Sequence, residues 1–121
     1  MVAVLKDAAE QGVEKYVCVG DVVGYNSNPV ECLEIVQNLA CAVVRGNHDH
    51  YCGHDDDLSG FHPLAADVVD WTRRQLTKEQ RQYLRGLDYW APVDGFTVVH
   101  STLDTPEMWG YVFDPLEAEA N

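Results

Sequence analysis

Basic charge is scarce in this chain. Eight Lys and Arg stand against twenty Asp and Glu in 121 residues, a formal net charge of −12. Non-specific nucleic-acid binding needs basic patches that displace counterions, so it is not expected here. The acidity reads first as a solvated surface, and it also suits clustered carboxylates that meet bound cations. Paired cysteines are missing too: Cys18, Cys32, Cys41 and Cys52 form no CxxC. No disulfide framework is expected, and a reducing cytoplasm is. Cys18 and Cys41 lie in apolar runs, where Cys usually acts as a small buried hydrophobe. Met1 to Leu5 lack a basic leader and a long apolar core, which argues against a signal peptide. No apolar run is long enough for a membrane span, so no membrane partner is expected. Repeats and low-complexity segments are absent as well. What remains is a chain with 46% hydrophobic residues, enough for one folded domain over residues 1–121 with a real core.

Periodicity places a helix at Val2–Gln11, closed by Gly12 and opened by no visible cap. Lys15–Val19 is a short apolar strand ended by Gly20-Asp21. A turn-rich loop leads to Asn28-Pro29, the N-cap and first position of a helix whose buried stripe is Val30, Leu33, Ile35, Val36 and Leu39. Cys41–Val44 is the next strand. Strand, helix and strand with short links make a βαβ unit, so these strands should be parallel. A polar loop with Asp55-Asp56-Asp57 then reaches a helix from Pro63 to about Leu76. Thr77–Gln80 reads as a capping box for another helix, ending near Gly86. Asp94-Gly95 is the turn of a hairpin between Tyr89–Val93 and Phe96–His100. The tail from Pro106 shows no clear element beyond a helix start at Leu116–Ala120. Trp71, Tyr83, Leu84 and Leu87 are candidate core or interface residues; Trp90 and Trp109 are core candidates that could also line a cleft.

Three polar clusters stand at strand ends: Gly20-Asp21, Gly46-Asn47-His48-Asp49 and His100-Ser101. In open α/β sheets, ligands collect beyond the carboxyl ends of the strands. Carboxylate, amide oxygen and imidazole suit manganese, iron or zinc better than a soft metal. Taken singly, each residue has an ordinary reading. Asp21 could be a cap, Asn47 a turn residue, His100 a satisfied core histidine.

The stretches "GDVVGY" at Gly20–Tyr25, "GNHD" at Gly46–Asp49 and "VVHS" at Val98–Ser101, in that order, resemble the middle motifs of the calcineurin-like metallophosphoesterase superfamily. With "NPVECLEIV" between the first two, they are similar to its bacterial branch related to diadenosine tetraphosphatases and protein-phosphatase-like enzymes. The resemblance implies an α/β fold, a partial two-sheet sandwich flanked by helices. It implies two divalent metal ions, manganese or iron ahead of zinc, bridged by Asp21. Asn47 and His100 would serve the second ion. His48 would protonate the leaving group, Asp49 would orient His48, and Arg45 would bind the phosphate or be only a strand-end charge. The implied partner is a phosphoester substrate, a small molecule or a phosphoprotein, hydrolysed by a metal-bridging water.

The family's opening DxH and closing GHxH motifs are absent from this sequence. The chain therefore reads as an internal piece of a larger enzyme, inactive or weak alone, with exposed sheet edges that invite self-association. Two other readings stand beside it. One is a non-catalytic metal-binding or scaffold module of the same fold. The other is a structural zinc protein using His50, Cys52 and His54. Substrate-selecting loops would be Cys52–His62 and Thr102–Asp114.

Overall fold

A computed structural model describes all 121 residues. The βαβ unit is present. Strand β1 (Val17–Cys18) and strand β2 (Ala42–Val43) pair in parallel, Val17 opposite Ala42 and Cys18 opposite Val43. Between them runs a helix at Pro29–Asn38, here α2, after α1 at Val2–Glu10. Both strands are shorter than their apolar runs, because the ladder involves only this pair and continues only through Val44 N–H, which donates to the Cys18 carbonyl. Pro29 sits at the start of α2 as expected, but Asn28 does not cap with its side chain; its Oδ1 accepts from Ser27 instead. Leu33 and Val36 are buried, while Val30, Ile35 and Leu39 are half-buried.

The loop expected after β2 is in fact a helix, α3 (Asn47–Gly53). It holds seven residues, too few to show an amphipathic period. Its start is set by Asp49, whose carboxylate accepts the Gly46 N–H at 3.0 Å. Two longer helices follow, α4 (Pro63–Gln75) and α5 (Lys78–Gly86). The Thr77–Gln80 capping box closes in both directions, at 2.9 and 3.2 Å. Strands β3 (Trp90–Val93) and β4 (Phe96–Val99) form the antiparallel hairpin. Asp94 and Gly95 both have positive φ, as a two-residue hairpin turn of matching twist requires. The tail holds a single 3-10 turn (Pro106–Met108) and α6 (Pro115–Ala120), capped by Asp114, which accepts from Leu116 and Glu117.

The fold is therefore α/β, with one parallel and one antiparallel two-stranded sheet, joined where Val44 bridges Asp88. The core gathers Val22, Val23, Leu33, Val36, Cys52, Val69, Leu76, Leu84 and Leu87. Tyr83 packs against its edge, whereas Trp71 is partly exposed. Fully burying aliphatic side chains of this size contributes about 1.5–3 kcal/mol each. Through Cys52, Leu84 and Val69 this core clamps α3 between α4 and α5, so both ends of α3 have fixed positions. No helix is long and apolar enough to cross a membrane.

Candidate active site

The exits of β1 and β2 touch. A Cβ added to Gly46 would lie 2.2 Å from Asp21 Oδ1 and 2.4 Å from Asp21 N, so only glycine admits this approach. Asp21 is held in the left-handed region, φ 52°. There its Oδ1 accepts the His48 N–H at 3.0 Å, in the first turn of α3. His100, from the end of β4, closes the group from another direction. Its Nδ1 donates to the Val19 carbonyl at 2.6 Å. Its Nε2 lies 3.1 Å from Asn47 Oδ1 and 3.4 Å from Asp21 Oδ2.

This arrangement has an electrostatic consequence. A carbonyl can only accept, so the proton of a neutral His100 ring sits on Nδ1. Nε2 then turns a lone pair toward two oxygens, which are acceptors themselves. With the Asn47 and Asp21 oxygens turned inward, the three lone pairs can share a proton or a cation between them. The three donors fit a divalent cation of the manganese, iron or zinc type. They line a cavity of about 210 Å³, with Tyr25, Trp109 and Tyr111 on its other walls. A larger cavity of about 550 Å³ lies elsewhere, beside Trp90 and Pro106, and no histidine lines it. Trp109 thus does line the candidate cleft, and Trp90 does not.

His48 is buried one residue along. Its Nδ1 donates to the Gly24 carbonyl at 3.1 Å, and its ring stacks on Tyr25 at 3.9 Å. A side chain on Gly24 would sit 2.7 Å from the His48 ring, so a glycine is required there. Burial and the Asp21 carboxylate both push the Tyr25 phenol up, keeping it protonated. The free Nε2 of His48 is the ring atom left for chemistry.

The Asp49 carboxylate, expected to orient His48, makes its hydrogen bonds to the main chain and none to the His48 ring. Its oxygens accept the main-chain N–H groups of Gly46 and Val23, at 3.0 and 3.2 Å. It is fully buried, and burial pushes its carboxyl up to about 6 although both N–H groups pull the other way. The group that fixes His48 is the Gly24 carbonyl, a main-chain atom. Only the second glycine of "GDVVGY" hints at it.

Arg45 is engaged by the scaffold through its guanidinium. Its Nη2 donates to the carbonyls of Arg85 and Leu87, its guanidinium lies 4.7 Å over the Tyr89 ring, and its Nε is buried without a partner. It ties the end of β2 to the end of α5, and makes no hydrogen bond to Asp21, Asn47 or His100.

The zinc set of His50, Cys52 and His54 is also not assembled. Cys52 is in the core, and burial raises its thiol to about 12. Instead His50, His54 and Asp56 come together, each offering a ligand atom within 4.8 Å of the others. In sequence Asp56 reads as part of a solvated loop; only the return of that loop over α3 brings it to the histidines. All four cysteines are free thiols.

The chain is similar to known proteins over nearly all of its length. The family model described as calcineurin-like phosphoesterase matches residues 1–119. An uncharacterized protein of Methanocaldococcus jannaschii, MJ0912, is 35% identical over 115 residues, covering 92% of this chain and 47% of that protein. The crystal structure of a metallophosphoesterase from Sphaerobacter thermophilus is similar with a TM-score of 0.76 and 33% identity, over 97% of this chain and 48% of that one. The chain thus spans about half the length of the relatives it matches.

Proposed function

The chain belongs to the calcineurin-like phosphoesterase family, and from that premise we propose that it carries half of a dinuclear-metal site hydrolysing phosphate mono- or diesters. The observation that supports this most is the meeting of Asp21, Asn47 and His100 around one cation-sized gap. These three would hold one divalent ion, manganese or iron ahead of zinc, and Asp21 would be shared with a second. Bound cations of this kind supply Lewis acidity toward phosphoryl oxygens and acidify water.

The chain's own residues do the rest. His48 keeps Nδ1–H on Gly24, stays in plane against Tyr25, and gives the proton at Nε2 to the leaving oxygen. The substrate is a small phosphoester or a phosphoprotein, in a compartment reducing enough for four free thiols, the cytoplasm. One observation favours a second reading, a non-catalytic metal-binding module: the rim donors make a set for one ion only, and Asp49 makes no hydrogen bond to the His48 ring. For the same reason turnover by this chain alone is expected to be weak.

The test is metal content together with hydrolysis of bis-p-nitrophenyl phosphate after dialysis against Mn²⁺. Asp21→Ala should remove the rim ion from the metal count and abolish turnover. His48→Ala should keep the metal and lower any turnover by about 10²–10⁴-fold. Turnover unchanged in His48→Ala sinks the acid role; metal uptake with no turnover in the parent chain favours the second reading.

A further inference from the structure

We propose a second cation site at the C-terminal end of α3, formed by His50, His54 and Asp56, which takes zinc or a similar borderline divalent ion. It is distinct from the rim donors: the Trp109 indole stands between, 5.7 Å from the His50 ring and 6.3 Å from the His100 ring.

The geometry builds it in steps. His50 and His54 are one helical turn apart, so their side chains share a face. The two rings stack with centroids 4.4 Å apart and planes 24° from parallel. His54 Nδ1 lies 2.9 Å from the His50 carbonyl, which can only accept. The proton of the neutral His54 ring is therefore fixed on Nδ1, and Nε2 keeps its lone pair, as a ligand must. His50 Nε2 lies 2.9 Å from Asp56 Oδ2. The other nitrogen of the His50 ring is buried without any hydrogen-bond partner. Whichever nitrogen holds the proton, a His50 lone pair is left with no donor to satisfy it. Asp56 supplies the compensating negative charge from a half-exposed position.

Two imidazoles and a carboxylate with an open fourth position form a donor set that zinc accepts. A tetrahedral ion with bonds of about 2.0–2.2 Å holds its donors about 3.3–3.6 Å apart. Uptake must draw the three side chains together, and Asp56, half-exposed on its loop, is the least enclosed of the three. The alternative is an ordinary His50–Asp56 hydrogen bond beside a capping His54, and that arrangement holds no metal.

The experiment is titration of the chain with Co²⁺, which reports coordination by its visible bands. The Asp21→Ala/His100→Ala double variant removes the rim donors. One Co²⁺ per chain should still bind there, with the bands of a tetrahedral nitrogen–oxygen site and no thiolate charge-transfer band. His54→Gln and Asp56→Asn should each weaken that binding at least about tenfold, the loss that even an outer-shell partner brings. Far-UV circular dichroism checks each fold. Where the double variant does not fold, Asp56→Asn is made in the intact chain, and the count of bound Co²⁺ should fall by one. Undiminished binding in both His54→Gln and Asp56→Asn overturns the site. So does a thiolate band, which would hand the ion to Cys52, and so does an intact chain whose bound Co²⁺ vanishes entirely with Asp21 and His100.

Discussion

The two ends of α3 carry similar side chains assembled by different means. At the N-terminal end the chemistry is long-range. His48 N–H meets Asp21 across 27 positions of sequence, and His100 meets Asn47 across 53. At the C-terminal end it is local, with His50, His54 and Asp56 no more than six positions apart. The rim site exists only if two strand exits and a hairpin dock to within a few tenths of an ångström. The helix-end cluster needs only α3 and the loop after it. Convergence from three distant segments is therefore the stronger sign of a selected site, and the local cluster should be the more robust to damage.

The sharpest way to separate the two ends is Gly46→Ala. The added methyl would meet Asp21 at 2.2 Å and main chain at 2.4 Å, so the strand exits must part. Urea unfolding should show a loss of about 4 kcal/mol or more, with rim metal uptake gone. Gly60→Ala, with open space around it, should change stability by no more than about 0.5 kcal/mol. A tolerated Gly46→Ala would break the picture of a tightly docked rim.

Next in size is the pH dependence that Asp49 imposes on the rim. Its carboxyl, raised to about 6, holds a proton in the folded chain where the unfolded chain, near 3.9, has lost it. Folding takes up a proton in that window. The contribution to stability is fully present below about pH 4 and is lost as pH rises through about 6, a change of about 3 kcal/mol. Denaturant unfolding in EDTA at pH 4.5 and 7.5 should show it, and Asp49→Asn should flatten it. The substituted amide has one acceptor oxygen for two N–H groups, so that variant should also be weaker than the parent at pH 4.5, by about 1–3 kcal/mol.

Arg45→Ala tests whether that side chain serves the site or the scaffold. Losing two bonds to the end of α5 and the stack on Tyr89 should lower stability by about 2 kcal/mol, with metal uptake at either end of α3 unchanged. A large effect on phosphate affinity without loss of stability would return Arg45 to the substrate. The smallest signal should come from Cys52. Buried and held as the thiol, it should resist alkylation in the folded chain at pH 8, when half-buried Cys32 and Cys41 react. Rapid labelling of Cys52 would mean that the core between the two ends opens.

Much of this was legible from residues alone. The parallel βαβ unit, the capping box at Thr77 and the Asp94-Gly95 turn follow from short-range chemistry, and each formed as its residues imply. Helix α3 was not legible, because seven polar-rich residues carry no period. The partners of Arg45 and Asp49 were not legible for a different reason. A charged side chain next to a motif has many partners within reach, and sequence does not say whether the winner is a substrate or a main-chain carbonyl.

The sequence by itself determined the chemistry of the candidate groups and their places at strand ends: Asp21, Asn47, His48 and His100. Residue chemistry and strand boundaries are local properties, and the glycines beside Asp21 and Asn47 mark where the backbone must turn. Only the tertiary structure decided which of these groups meet, that Gly24 rather than Asp49 holds His48, and that Asp56 rather than Cys52 joins His50 and His54. Those choices depend on how buried polar groups find partners once the core has closed, and burial is a property of the whole fold.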